Sequence, residues 1–463
     1  MTVALTVVLL LAAGLPPAFA VTRSASLAVV LAPLAGAAVC TAAVLLMLAL
    51  GGPLLLWFGP LFLLTVYLAW RLRTRPALGS WRDALLLTVP LVPPFLPVGQ
   101  QPLLWDAHLI WWLHAGYFTG GGSFARSSIG NPALIFSHPD YPPFASAPVS
   151  LVWQLLGTRD FYPAAVVTGL VTFAAVAAAV LAVRTVTAFA PPWLSWPAAI
   201  AVGLSAWSPL WIVPSAGFSD AMCAAAFTAG AVLLLFGRAP FGPLLPLTLL
   251  LLCSAALMKN EGQSMVVALA LVASVRYRRR LRSVGWVWLP VAFAAVWSLT
   301  ARLLGAQTDV LAGGKFGDLL HSDADTVGRL PLVLSTMTGR VDRIVAFALA
   351  AAVLGYVLLR HRRREVGLGG DGWLWGVAAL YWCFLTLIYV VTPNDLHWHL
   401  STSVDRVVIP IVMLSCASAA GWAATALSHP ADQSPPAAHS ADSPEPEEPD
   451  TEAAHVAADH QPG

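Results

Sequence analysis

The chain has 463 residues, 58% of them hydrophobic and only 10% charged. Soluble globular proteins carry about 25% charged residues, so 25 Lys and Arg with 23 Asp and Glu cannot furnish a water-facing surface for a chain of this length. The composition excludes an ordinary soluble enzyme and, without a concentrated basic surface, a nucleic-acid binder; it indicates a polytopic membrane protein.

A bilayer core takes roughly 20 apolar residues per helix. On that rule the sequence predicts an all-α transmembrane bundle of about 11–13 spans. Their approximate positions are 3–20, 27–50, 52–70, 84–99, 162–183, 193–213, 219–237, 241–258, 262–275, 284–304, 341–359, 372–392 and 404–427. The first reads as a retained span, because Arg23 follows it and no basic residue precedes it. Residues 428–463 hold eight acids and no Lys or Arg, with much Pro, Ala and Ser. Such a segment cannot bury enough apolar surface to offset its ordering entropy and is expected to be a disordered tail. The expected organisation is three added N-terminal spans within 1–82, a core over 83–427 and this tail.

Orientation follows from Lys and Arg in short loops. If the spans alternate, Arg23, Arg71, Arg73, Arg75, Arg82, Arg184 and Arg238 share one side with the Arg276–Arg282 and Arg360–Arg364 clusters. That side holds 16 bases and three acids, and the other nine bases and 12 acids. The basic side is expected to be cytoplasmic, together with the tail, in a multi-pass protein of the cytoplasmic membrane. Cys40, Cys223, Cys253, Cys383 and Cys416 all fall within predicted spans and read as free, packing thiols.

The polar residues concentrate in loops on the acidic side. The longest, 100–161, opens with Trp105-Asp106-Ala107-His108. Its stretch 104–118, with Trp111, Trp112, Tyr117 and Phe118, is expected to form an amphipathic helix at headgroup level. Asp106 at a span end suits a general base, since an apolar setting raises a carboxyl pKa; as a helix N-cap it would be purely structural. His138-Pro139-Asp140-Tyr141-Pro142-Pro143 is a stiff loop able to hold polar groups in register, or an ordinary turn. Lys259-Asn260-Glu261-Gly262 sits between two strongly apolar segments, where charges by default mark function; a neutralising Lys–Glu pair in a tight turn is the plainer account. The last acidic-side loop carries Asp395, His397 and His399, a weak metal pattern or interfacial His and Trp. It leads to Asp405-Arg406 at the mouth of the final span, where a guanidinium suits a lipid phosphate. There is no phosphate-binding glycine loop and no internal repeat.

Taken in chain order, Trp105-Asp106-Ala107, Asp140-Tyr141-Pro142-Pro143, Lys259-Asn260-Glu261-Gly262 and Asp405-Arg406 resemble the GT-C superfamily of integral membrane glycosyltransferases. The likeness is nearest the aminoarabinose transferase and protein O-mannosyltransferase branch and covers residues 83–427. It implies sugar transfer from a polyprenyl-phosphate donor to a lipid, polysaccharide or protein acceptor at the outer membrane face, with membrane lipids as surroundings. Asp106 would be the base on the acceptor hydroxyl. Lys259, Glu261 and Arg406 would line the donor's phosphate and sugar, with His108, His138, Asp140, Tyr141, His397 and His399 as further substrate contacts. No cofactor is assigned; a divalent cation, Mg2+ or Mn2+, could sit on Asp106 and Asp140. The chain departs from the family in three ways: the acidic pair of the first loop is Asp-Ala, three spans precede the family-like start, and no soluble C-terminal domain follows. The alternative function is a lipid-linked-sugar flippase. That role calls for charges deep within spans, whereas most here lie at span ends, Arg302 excepted.

Overall fold

The computed structural model describes residues 2–73, 80–92, 105–207, 217–237, 240–308, 324–361 and 370–428. Residues 429–463 of the acidic tail, 93–99 of the predicted 84–99 span, and Arg75, Arg238, Arg362, Arg363 and Arg364 lie outside the described residues. Every regular element among the described residues is helical. In chain order these are α1 Thr2–Thr22, α2 Ala25–Leu50, α3 Leu54–Leu72, α4 Trp81–Leu87, a π-helical turn Ala107–Trp111 running into α5 Trp112–Thr119, and α6 Gly122–Ile129. Then follow α7 Ala147–Leu156, α8 Phe161–Val186, α9 Pro192–Ser205, α10 Asp220–Phe236, α11 Leu245–Ala256 and α12 Asn260–Arg276. The chain closes with α13 Leu281–Leu303, α14 Leu330–His361, α15 Asp371–Val390, α16 Leu396–Val407 and α17 Ile409–Leu427.

Among the described residues, eight helical stretches are long and apolar enough to cross a bilayer: α1, α2, α3, α8, α13, α14, α15 and the α16–α17 run. Where spans are predicted at 219–237 and 241–258 the helices are shorter, 17 and 12 residues. The predicted span 193–213 is described as a helix only over Pro192–Ser205. The helix predicted at 341–359 begins at Leu330 and runs 32 residues, so Arg340 stands inside it rather than before it, and Asp342 and Arg343 lie mid-helix rather than at its start. The final span is broken at Val408; Pro410, which lacks an N–H, starts α17 on a new hydrogen-bond ladder.

Burial separates an inner from an outer layer. The α8 stretch is 78% buried and α16–α17 89%, whereas α3 is 6% and α14 17%. An apolar helix exposed around most of its girth suits lipid rather than water as its solvent. The inner helices pack through small residues. Gly14 of α1 lies so close to α2 that an added Cβ would fall 1.7 Å from the Ala32 carbonyl oxygen, and a Cβ on Gly36 would fall 3.1 Å from Gly14. In a bilayer, helices associate largely by such close backbone contact.

Segment 104–118 differs from its expectation. Trp105 is exposed, but Trp111, Trp112, Tyr117 and Phe118 are buried in the bundle. The Trp112 indole donates to Thr168 Oγ1 on α8 (3.3 Å), and Ser150 on α7 donates to the Ala115 carbonyl (3.0 Å). The segment is apolar on nearly all sides, so burial among α2, α7 and α8 removes more apolar surface than a one-sided seat on lipid headgroups would.

The bundle has two chemically distinct ends. α10 begins at Asp220 and ends beside Tyr277, whose hydroxyl donates to the Leu234 carbonyl (2.7 Å). α12 begins beside Lys259 and ends at Arg276. α15 begins at Asp371, whose carboxylate accepts from Ser418 and from the Trp422 indole of α17 (2.8 Å for the indole). Asp220 and Lys259 therefore share one end, with Arg276 and Asp371 at the other. The 17 residues of α10 put about 25 Å between these ends at 1.5 Å per residue.

Replacing Gly14 by Val is expected to destabilise the α1–α2 contact by about 1–3 kcal/mol. The check is a melting temperature measured in detergent. Gly59→Val, on a lipid-facing stretch with nothing within 4 Å of the added Cβ, should leave that temperature unchanged.

Candidate functional site

Five charged side chains from four parts of the chain meet at the acidic end. Lys259 Nζ lies 2.8 Å from Asp220 Oδ1 and 3.2 Å from Glu261 Oε1. Arg406 Nη1 donates to Asp106 Oδ2 and lies 3.7 Å from Asp220 Oδ2. Asp220 thus stands between the two cations and joins the Lys259–Glu261 pair to the Asp106–Arg406 pair.

Local sequence explains how each group arrives. Gly262 lets the turn close: a Cβ there would meet the Ala255 carbonyl oxygen at 2.0 Å. The chain can therefore leave α11 and enter α12 with Lys259 and Glu261 both turned toward α10. Arg406 rides on the last turn of α16, whose apolar side, Leu396, Leu400, Val404 and Val407, is buried. Its guanidinium is centred 4.6 Å from the Phe218 ring, a cation–π contact that also flattens it against a rigid surface. Asp106 enters from the start of the π-helical turn. It makes no side-chain capping bond there, so the N-cap reading is not the one the side chain adopts. Such turns recur at functional sites in helical proteins.

The stiff loop forms an adjoining wall. Asn260 Nδ2 donates to Asp140 Oδ2 (2.6 Å), the Trp297 indole donates to the Asp140 carbonyl (2.7 Å), and Phe144 N–H donates to the Leu257 carbonyl (3.0 Å). These three bonds tie the loop to α12, α13 and the end of α11. His138, in the left-handed region at φ 51°, stacks on Tyr141 at 4.9 Å, and Tyr141 stacks on Trp111 at 5.4 Å. Lys259 Nζ lies 5.9 Å from the Tyr141 ring centroid.

The loop residues titrate as this setting dictates. Burial opposes the Lys259 ammonium, but the Asp220 and Glu261 carboxylates outweigh it and hold the group well above the ordinary lysine range. Burial, reinforced by the Glu261 charge, holds the Tyr141 phenol well above its ordinary value. At neutral pH Lys259 is a cation and Tyr141 keeps its proton to donate.

The remaining candidates are placed elsewhere. His108 packs edge-on against Phe161 (4.5 Å) and Trp112 (5.4 Å), an aromatic seat outside the charge cluster. Asp395 caps α16 by accepting from Trp398 N–H (2.8 Å). His399 is hydrogen-bonded to Thr392 Oγ1 (2.9 Å), and His397 is exposed. No group of three or more His, Cys, Asp and Glu able to hold a metal occurs among the described residues. That applies to the Asp395–His397–His399 pattern. Asp106 and Asp140, the expected cation ligands, are each engaged by a protein donor, Arg406 and Asn260.

Asp220 was not among the sequence candidates. An Asp after Ser219 at the head of an apolar helix reads as helix-terminal polarity, and its partner Lys259 is 39 residues away. The available signal was a second charge opening a span on the same predicted side as Lys259. Asn260 and Trp297 carried no distinguishing signal.

Comparison of the chain with family models, curated proteins and solved structures yields no match.

Asp220→Asn would leave Lys259 with Glu261 alone and Arg406 with Asp106 alone. Breaking a buried ion pair costs about 3–5 kcal/mol, so the variant should unfold at lower temperature or denaturant. The Asp220→Asn and Lys259→Met double-mutant cycle should give a coupling of at least about 1 kcal/mol.

Proposed function

We propose that this chain is an integral membrane glycosyltransferase. It transfers a sugar from a polyprenyl-phosphate donor to an acceptor hydroxyl at the outer face of the cytoplasmic membrane. The observation that carries the reading is the convergence of Asp106, Asp220, Lys259, Glu261 and Arg406 at one end of an apolar bundle, although the Asp106–Arg406 pair alone is 300 residues apart in sequence. Buried charge of this density is costly in a membrane and is characteristic of a site handling polar substrate.

The chemistry requires a base at the acceptor and cations at the leaving group. Asp106 takes the proton of the acceptor hydroxyl as its oxygen bonds to the sugar's anomeric carbon. The bond from that carbon to the phosphate oxygen breaks, and the polyprenyl phosphate leaves with the electron pair. Lys259 and Arg406 neutralise the charge that develops on it. Glu261 and the Tyr141 phenol are placed to hydrogen-bond the sugar. The described residues do not compose a metal cage, and no step passes through Mg2+ or Mn2+.

A lateral groove offers room for the lipid. Leu330 and Leu334 of α14 and Trp382, Cys383, Thr386, Leu387 and Val390 of α15 line an apolar hollow of about 320 Å³. The other face of α15 reaches toward Arg406: the Tyr381 hydroxyl donates to the Val407 carbonyl (2.9 Å), and the Tyr389 hydroxyl pairs with Ser403 (2.7 Å). An isoprenoid lying in the groove would be one helix width from the cluster. The Arg276 end would face the cytoplasm under the positive-inside rule, with residues 428–463 on that side.

The second reading is a lipid-linked-sugar flippase, favoured by Arg340, Asp342 and Arg343 inside α14. One assay separates the two. Membrane vesicles are supplied with radiolabelled polyprenyl-phosphate sugars, and both bond formation and label crossing are followed. Transfer should fall about 10²–10⁴-fold in Asp106→Asn. Equal transfer by wild type and variant would remove Asp106 from the base role; label crossing the bilayer without a new bond would favour the flippase.

A further inference from the structure

We infer that Arg406 exchanges partners during the reaction: it holds Asp106 while the site is unloaded and passes to the donor's phosphate on loading, which releases Asp106 to act as base. The inference rests on the glycosyltransferase reading.

Both cations are already taken. Lys259 is bracketed by Asp220 and Glu261, and Arg406 by Asp106 and Asp220. Within the cluster an incoming phosphate meets no cation without a carboxylate partner, so binding there must displace one. Hydration decides which. The Asp220 side chain is 6% exposed and touches two cations. Stripped of them, it would remain a buried, uncompensated charge, at a cost of several kcal/mol. Asp106 is 23% exposed, the most accessible of the three carboxylates, and it bonds to a single cation. On release it regains water. Asp106 therefore yields first.

Arg406 is built for the handover. Its guanidinium rests on the Phe218 ring, so it can rotate in plane without losing that contact. Its Nε is buried and has no hydrogen-bond partner among the described residues. Phosphate recognition by arginine uses two parallel N–H groups, and the end-on pair Nη1 and Nη2 becomes available once Asp106 withdraws from Nη1. While Arg406 donates to it, Asp106 Oδ2 is occupied by a guanidinium N–H and is not open to the proton of an acceptor hydroxyl. The base is thus armed only when a donor phosphate is present, and an acceptor hydroxyl is not activated at an empty site.

The test is a binding titration of the full-length protein in detergent with farnesyl phosphate, using farnesol as the neutral control. If Asp106 competes with phosphate for Arg406, Asp106→Asn binds farnesyl phosphate about tenfold tighter than wild type, equivalent to about 1.4 kcal/mol. Farnesol binding is unchanged. Asp106→Ser, which also removes the charge, gives the same direction and covers the event that the amide variant folds poorly. Unchanged or weaker farnesyl phosphate binding in both variants overturns the exchange and leaves the donor reading standing. If wild type and variants alike fail to bind farnesyl phosphate above farnesol, the donor reading falls and the exchange with it.

Discussion

The Asp220 carboxylate, lodged between Lys259 and Arg406, is the contact on which the arrangement of this protein turns. Charges this deep in an apolar bundle are stable only when each is compensated. That requirement constrains every element that delivers one. Gly262 must be small so that α12 can start against α11. α16 must end at Val408 so that Arg406 stops beside Phe218 instead of continuing down a straight final span. Asp140 must be clamped by Asn260 and Trp297 so that Tyr141 closes the side of the cluster. The small-residue packing of α1 and α2 is remote from the charges. It contributes to the buried core on which α7 and α8, and through them the Asp106 segment, rest.

Much of the helical layout could be read from the residues because bilayer-length apolar runs carry a strong signal. The predicted 3–20, 27–50, 52–70, 162–183 and 372–392 fall on α1, α2, α3, α8 and α15 with ends differing by a few residues. The reading failed where charge and apolarity compete. Arg340 marks the edge of the predicted span, yet α14 runs through it, and Arg340 reaches Asp405 on α16 at 3.1 Å. The aromatic run after Asp106 resembles an interfacial belt, yet the tryptophans are wrapped by neighbouring helices, a fact of tertiary packing that no local pattern encodes.

Within the site, Asp106, Asp140, Lys259, Glu261 and Arg406 were legible for one shared reason: each is a polar residue interrupting an apolar context. Asp220 obeys the same rule but is masked by its position, since an acid in the first turn of a helix is also what the helix dipole favours. His108 and His397 show the converse. A histidine near the right loop is no evidence of a shared ligand; one is held by rings and the other is exposed. Charge in an apolar context was readable from residue type, whereas pairing required the fold.

The Asp106–Arg406 pair spans 300 residues, and this separation has a consequence for biogenesis. At the ~5–20 residues per second of synthesis, Arg406 emerges about 15–60 s after Asp106. Lys259 emerges in between and can meet Asp220 at once, because that pair needs only the hairpin of α10 to α12. Asp106 must wait for nearly the whole chain. Through that interval the nascent protein holds a carboxylate without its cation at the edge of an apolar bundle, and only the last helix pair removes it. The charge cluster is therefore completed only once α16 has been made, and a chain truncated before α16 carries an uncompensated acid.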